Sequence, residues 1–427
     1  MTDKRIAVTL RPSNTQPMVR LFMLALSIWI TPVTSVVAGP FDDGLAAYKR
    51  GDYANAAEWF LLAADQGDAD AQNRIGWMYR LGRGVRKDHA EAEKWHRRAA
   101  ERGHIEAQYD LALMLDDSAS QNDAAVKWYR RAAEQDHVKA QVRLGWIFHD
   151  GQGVAADRFE SVKWFRKAAD QGNADAQFDL AEILNQDEGT PQDRAEAAKL
   201  YREAAEQDHV RAQFSLGLMY VEGRDLPQDY TEASKWYRRA AERRHAGAQY
   251  NLGSLYDQGR GVPRNIGEAL KWYRTAARQG HPEALFNLGL MYNEGEGVEQ
   301  DLAEAMSWYK KAAGLGNIDA QFSLALMYER GLGVPQDYVE AVYWYRGAAE
   351  QDHAGAQLML GHIYEKGRGV ETDMAMAHML FGLAARQGYA VAGAAVNSIN
   401  SKMSADQIAK SEHLSREWAK RWGNQSD

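Results

Sequence analysis

The stretch Ala212–Glu242 reads AQFSLGLMYVEGRDLPQDYTEASKWYRRAAE, and from Ala248 to Arg278 the chain reads AQYNLGSLYDQGRGVPRNIGEALKWYRTAAR. The alanine that opens this sentence recurs at Ala71, Ala107, Ala140, Ala176, Ala212, Ala248, Ala284, Ala320 and Ala356, with a degenerate copy at Ala392. Every step is 36 residues except one of 33. A fixed period of this size marks a solenoid, in which a unit buries its apolar face only by stacking on its neighbours.

Within a unit the apolar spacing is helical. From Ala212, the residues Leu216, Gly217, Met219 and Tyr220 fall on one face of a first helix, here called helix A. A column of glycine, with alanine at Ala112, Ala181 and Ala325, sits inside that face and predicts close helix approach, because glycine otherwise costs a helix about 1 kcal/mol. A glycine turn follows, as at Gly259-Arg260-Gly261, and is expected to cap the helix in the left-handed conformation. A proline column (Pro191, Pro227, Pro263, Pro335) should stop continuation. Helix B then opens on Asp or Asn with Glu three residues later, as in Asp88/Glu91, Asp193/Glu196 and Asp229/Glu232, a pattern resembling a capping box. It continues through Trp-Tyr-Arg to Ala-Ala, as at Trp272, Tyr273, Ala276 and Ala277, offering large rings beside small methyls.

The expected organisation is a leader over residues 1–38, a short helix pair over 39–66, tandem repeats over 67–390 and closing helices over 391–427. Ser404 to Gln407 reads as a capping box for the last helix. The leader reading rests on Leu21–Ile30, an apolar run preceded by Arg20 and followed by small residues at Val36 and Ala38. Translation from Met18 would give it a more ordinary length. The competing reading is an uncleaved anchor, although about 20 apolar residues are needed to span a bilayer. Cleavage after Ala38 removes four cations and one anion, which takes the formal charge from −8 to −11. Such acidity argues against nucleic acid as a partner, since phosphate binding needs a basic stripe. The chain has no cysteine, which excludes disulfides, thiol nucleophiles and cysteine-ligated metal.

The pattern A-x₃-L-G-x₂-Y-x₂-G-x-G-V-x₂-D-x₂-E-A-x₂-W-Y-x₂-A-A, running from Phe41 to about Gly388, resembles the Sel-one-like repeat family, a relative of the tetratricopeptide repeat. The resemblance implies an all-α, α/α superhelical solenoid with helix A lining its concave side. It also implies an adaptor or scaffold role. Exported bacterial members are associated with envelope assembly, host interaction or exopolysaccharide export. Some cysteine-rich relatives carry the label of β-lactamase, and the absence of cysteine here puts that label in doubt.

Catalytic and metal chemistry find little purchase. The Gly-x-Gly turns follow helices rather than strands, so they lack the context of a phosphate loop. A D-x-x-E pair cannot supply the ligands of a calcium loop. Six histidines (His104, His137, His209, His245, His281, His353) share one column with Asp68, Asn173 and Asn317, as residues that accept a hydrogen bond at a helix start would. One S-x-x-K sequence, Ser307 to Lys310, lies where sister repeats mostly carry lysine, and a secreted hydrolase of β-lactamase type is the alternative it leaves open. No cofactor is expected. The informative positions are those of helix A off the packing face, although the aromatic column two residues past the anchor, which includes Tyr109 and Phe178, reads first as packing between repeats. Trp77, Arg80, Tyr109, Trp146, His149, Phe178, Leu218 and Leu290 are the candidate contacts for a protein or peptide partner. A periplasmic or secreted monomer with an envelope association is the expectation.

Overall fold

The computed structural model describes residues 39–116, 122–186 and 190–422, so the leader and much of the connection in the 33-residue repeat lie outside the described residues. All regular structure among the described residues is helical. The chain divides into two compact units, one ending at Arg102 and one beginning at Gly103.

The first unit holds α1 (Pro40–Lys49), α2 (Tyr53–Asp65), α3 (Ala69–Leu81) and α4 (His89–Glu101). The second begins with α5 (Ile105–Asp116), α6 (Asn122–Glu134), α7 (Val138–Asp150), α8 (Arg158–Asp170), α9 (Ala174–Leu184) and α10 (Pro191–Glu206). It continues with α11 (Val210–Glu222), α12 (Tyr230–Glu242), α13 (Ala246–Gln258), α14 (Ile266–Ala277), α15 (Pro282–Glu294) and α16 (Leu302–Gly314). It ends with α17 (Ile318–Arg330), α18 (Tyr338–Glu350), α19 (Ala354–Lys366), α20 (Met374–Arg386), α21 (Ala390–Asn400) and α22 (Ala405–Trp422). Within each unit every helix as far as α21 packs on the next in sequence, and α22 returns to pack on α20; this is the helix-turn-helix solenoid that the period predicts.

One pair shows why. Helix α11 buries Ala212, Leu216, Gly217 and Met219, and α12 buries Ala233, Tyr237, Ala240 and Ala241. The Tyr237 ring lies on the Gly217 backbone, where an added Cβ would stand 2.5 Å from a ring carbon. Phe165 meets Gly145 and Phe381 meets Gly361 in the same way. The glycine column therefore exists to admit one ring per repeat. That ring belongs to the tyrosine of Trp-Tyr, not the tryptophan. Trp95, Trp128, Trp164, Trp236 and Trp308 each lie beneath a cation three residues on, with Lys311 Nζ 4.1 Å from the Trp308 ring and the Arg131 guanidinium 4.4 Å from that of Trp128. Tyr220, expected on the packed face, is half-exposed, and its hydroxyl accepts from Arg202 of the preceding helix B at 2.7 Å.

The turns behave as the glycines require. Gly82, Gly151, Gly223, Gly259, Gly295, Gly331 and Gly367 end their helices in the left-handed region. The opening of helix B differs from the expected reciprocal box. Asp88, Asp157, Asp229, Asn265, Asp301 and Asp337 do cap with their side chains, but their backbone N–H groups donate to helix A carbonyls such as Tyr79 O and Tyr220 O. Glu91, Glu160, Glu232 and Glu268 turn outward instead, each to a lysine three residues on. Asp193/Glu196 is a second departure: α10 starts early, with Pro191 at its first turn, Thr190 as the cap and Asp193 returning the bond. Pro191 thus begins a helix where the column suggested a stop.

The glutamine of each "AQ" is the polar element of the core. Gln141, Gln213, Gln249 and Gln357 are almost fully buried, and each Nε2 donates to the carbonyl of an alanine ending the preceding helix B. Its Oε1 in turn accepts from a glutamine 30 residues on: Gln171 to Gln141 at 2.7 Å, Gln279 to Gln249 at 2.7 Å, Gln351 to Gln321 at 3.0 Å and Gln387 to Gln357 at 3.0 Å. This amide ladder crosses from repeat to repeat and satisfies buried groups that would otherwise be costly. Leu285 and Leu315 replace both members of one rung together. In two rungs the donor is arginine: Arg102 turns to Gly67 O and Arg243 to Asp208, which leaves Gln72 Oε1 and Gln213 Oε1 buried without a partner.

The histidine column caps helix A. Nδ1 of His104, His137, His209, His245 and His353 accepts from the alanine N–H three residues on, as Asp68, Asn173 and Asn317 do through oxygen. His281 makes no such bond and instead faces Glu283 at 3.1 Å. At the far end Ser404 and Gln407 form their reciprocal box, and α22 folds back to lay Leu414 and Trp418 against the core of α18 to α20.

Candidate partner-binding surface

On each helix A the anchor alanine and the residues four, five and seven positions on are buried, so positions −1, +3, +6 and +10 form the outward stripe. Consecutive A helices are neighbours along this face: Trp146 Nε1 on α7 donates to Asp179 on α9 at 3.1 Å. Shallow slots open between them in one register. The slot between α11 and α13, about 240 Å³, is lined by Leu218, Val221, Asn251, Ser254 and Arg260 with the Tyr230 and Tyr237 rings. A smaller one of about 120 Å³ lies between α17 and α19, with Glu329, His362, Lys366 and Arg368 in its wall. In the first unit the equivalent slot is about 260 Å³ and has Tyr48, Arg74, Trp77, Leu81 and Arg83 around it.

The eight candidate residues are placed as follows. Trp77 is half-buried, its indole edge-on to His96 at 6.0 Å and the Arg80 guanidinium 4.9 Å above its ring. In the second unit Trp146 is half-buried and meets Phe165 and His149 edge-on at 5.4 and 5.5 Å. Tyr109 keeps partial exposure between Tyr129 and His137. Leu218 lines its slot, and Leu290 is half-exposed on the core that runs from α14 to α17. Phe178 is a correction. It is only 2% exposed, stacked on His209 at 4.7 Å and covered by Arg211, so it packs one repeat on the next and offers no surface to a partner. Phe214, Tyr250 and Phe322 make the same histidine contact, which explains why aromatic residues hold that column.

Electrostatics single out Asp179. Burial pushes its carboxyl up to about 6, partly offset by the Trp146 bond and by Arg211 nearby. The caps are shifted in the opposite sense. Burial lowers the pKa of His209, His245 and His353, in keeping with a neutral ring whose Nδ1 accepts a hydrogen bond. The buried tyrosines are pushed far up by burial, and several donate to inner-face carboxylates: Tyr129 to Asp116 at 3.2 Å, Tyr273 to Asp257 at 3.3 Å and Tyr345 to Glu329 at 2.7 Å. Among the described residues no group of three or more His, Asp or Glu is placed to hold a metal ion, and no helix is long and apolar enough to cross a membrane. Ser307 sits mid-helix in α16, and Lys310 reaches over the Tyr328 ring at 5.4 Å.

The outward-facing polar residues of helix A that sequence reasoning passed over are Asn251, Asn287 and Asp179. They stand at position +3, a column whose chemistry changes along the chain, so no repeat signal marks them.

The model of the Sel1 repeat matches ten consecutive segments, from residues 41–68 through 354–389. The chain is 31% identical to the crystal structure of c5321, a protective antigen of uropathogenic Escherichia coli with an SLR fold, over 90% of this chain and 91% of that one (TM-score 0.58). It is 32% identical to a Sel1 repeat protein of Oxalobacter formigenes, over 72% and 89% of the two chains (TM-score 0.63). No curated relative matches. Ten matched repeats over nearly the whole described chain, stacked as helix pairs, make this protein a member of the Sel1 repeat family.

Proposed function

We propose that the protein is an exported, non-catalytic adaptor that holds a protein or peptide partner on the outward stripe of its A helices, in association with the cell envelope and as a monomer. Sel1 repeat solenoids are in general protein-interaction scaffolds, and one observation carries the reading to this chain. The columns that recur are consumed by ring-to-glycine packing, caps and the amide ladder, while positions +3 and +6 vary, stay partly exposed apart from the buried Asp110, and line the slots. Half-buried tryptophan and leucine in such slots suit an apolar anchor of a bound chain. The export part of the reading rests on the apolar run and small residues before Gly39, and it is supported by an E. coli relative that is a protective antigen.

The test is affinity capture from envelope extract, comparing the parent protein with Trp146→Ala and Leu218→Ala, and with Lys271→Ala on helix B as control. The adaptor reading expects a defined partner that is lost with the A-helix variants and kept with the control. Capture that ignores both A-helix variants overturns it. N-terminal sequencing of the exported protein should read from Gly39.

A further inference from the structure

We propose that the four A helices α11, α13, α15 and α17 bind an extended, positively charged peptide segment through its main chain. The assignment rests on the adaptor reading and gives its partner a chemistry.

The floor of this stretch carries no charge. Position +3 reads Ser215, Asn251, Asn287, Ser323, and position +6 reads Leu218, Ser254, Leu290, Leu326; all eight are partly exposed. Elsewhere in the second unit position +3 carries Asp110, Arg143, Asp179 and Met359. A carboxamide offers two donors and an acceptor, the complement of a peptide unit, and a hydroxyl offers one of each. The two asparagines are held in place from below. Asn251 lies within hydrogen-bonding reach of the Tyr237 hydroxyl, and Asn287 of those of Tyr273 and Tyr250, so each amide is engaged in part from below. The leucines alternate with them, and the slot beside Leu218 has room for an apolar side chain.

The rims select charge. At the helix starts stand Glu283 and Asp319 against Arg211, and at the helix ends, nine or ten positions past the anchor, Glu222, Asp257, Glu294 and Glu329 against Arg330, with Arg260 in the turn after α13. Glu222 is engaged by Arg224, whereas Glu283 faces the cap of its own helix, His281, and Asp319 reaches His353 of the next repeat. A neutral, amide-bearing floor between acidic rims complements a chain with apolar residues facing down and lysine or arginine facing sideways.

The spacing agrees. Adjacent packed helices lie about 8–10 Å apart. A polyproline-type extended chain rises about 3.1 Å per residue with three residues per turn. Three residues therefore advance one repeat and present the same side of the peptide to each successive A helix. Four helices take up about twelve residues.

The probe is acetyl-(Leu-Ser-Lys)₄-amide, titrated onto the full chain by calorimetry. Saturable binding is expected. It should weaken about tenfold for Asn251→Ala/Asn287→Ala, and by a similar factor when the serine N–H groups of the peptide are methylated, a change that leaves the protein untouched. The (Leu-Ser-Glu)₄ peptide should not bind. No saturable binding of the lysine peptide, equal binding of the glutamate peptide, or indifference to both the asparagine variant and N-methylation overturns the proposal. If that happens while envelope capture still depends on Trp146 or Leu218, the adaptor reading stands and only the peptide assignment falls.

Discussion

Replacing Arg243 with glutamine should make the protein more stable. Position 243 is the donor position of the amide ladder, yet its guanidinium pairs with Asp208 and leaves Gln213 Oε1 buried without a hydrogen bond. In the neighbouring rungs a glutamine Nε2 fills that place at 2.7 Å, as from Gln207 to Gln177 and Gln279 to Gln249. An unsatisfied buried acceptor costs about 1–3 kcal/mol. The ion pair that would be lost lies on the surface, with side chains 39% and 56% exposed, and exposed pairs contribute about 0–1 kcal/mol. The balance favours Arg243→Gln by about 1 kcal/mol, or about fivefold in a local opening equilibrium. Amide hydrogen exchange at the junction of α12 and α13 is the assay, because a stack of repeats opens joint by joint. Protection there should rise in Arg243→Gln and be unchanged or lower in Arg243→Ala, which breaks the pair without supplying a donor. The reverse change, Gln279→Arg, should lower protection at its own junction. Equal protection in Arg243→Gln and the parent, or a gain shared by Arg243→Ala, refutes the ladder as a source of stability.

Other perturbations follow from the same geometry. Gly217→Ala should destabilise by about 1–3 kcal/mol in denaturant titration despite the better helix propensity of alanine, since its Cβ would collide with the Tyr237 ring. Arg244 holds φ at 69° where most repeats have glycine, so Arg244→Gly should stabilise by up to about 1 kcal/mol once the entropy of the freer unfolded chain is set against the relieved strain. The capping histidines make stability depend on pH. Their folded pKa values lie below the unfolded value of about 6.5, so the unfolded chain binds more protons and stability falls as pH drops from 6.5 through the folded values. His353→Asn should cap without titrating and flatten that slope. Asp179 has the opposite sign, its pKa being raised to about 6, so it costs stability as pH rises from about 4 to about 6; the Trp146 indole N–H resonance of the folded protein should titrate with a midpoint at about 6 and cease to do so in Asp179→Asn.

The architecture was legible because a solenoid writes its packing once per repeat. Period, glycine turns and the Asp or Asn caps of helix B all translate into geometry without knowledge of long-range contacts. Individual columns were harder. Trp and Tyr are adjacent, and only the position of Gly217 relative to Tyr237 decides which ring goes inward. The glutamine of "AQ" reads as a surface residue because its partners, an alanine carbonyl and a glutamine 30 residues on, are brought together only by stacking. Phe178 looked available on a helical wheel of one repeat, but the histidine that covers it belongs to the next. The Asn and Ser floor was invisible for the opposite reason: residues selected for a ligand need not repeat.

The recurring residues build the stack, and the A-helix stripe is the surface proposed to recognise the partner. Photo-cross-linking in cells tests this division most directly, with a benzophenone side chain placed one at a time at Leu218, Asn251, Leu290 and Leu326, and at Lys163, Lys235 and Lys271 on the B helices. The account predicts one discrete adduct of common mass from the first set and none from the second. The same adduct from the B-helix positions, with the A-helix positions silent, would contradict it.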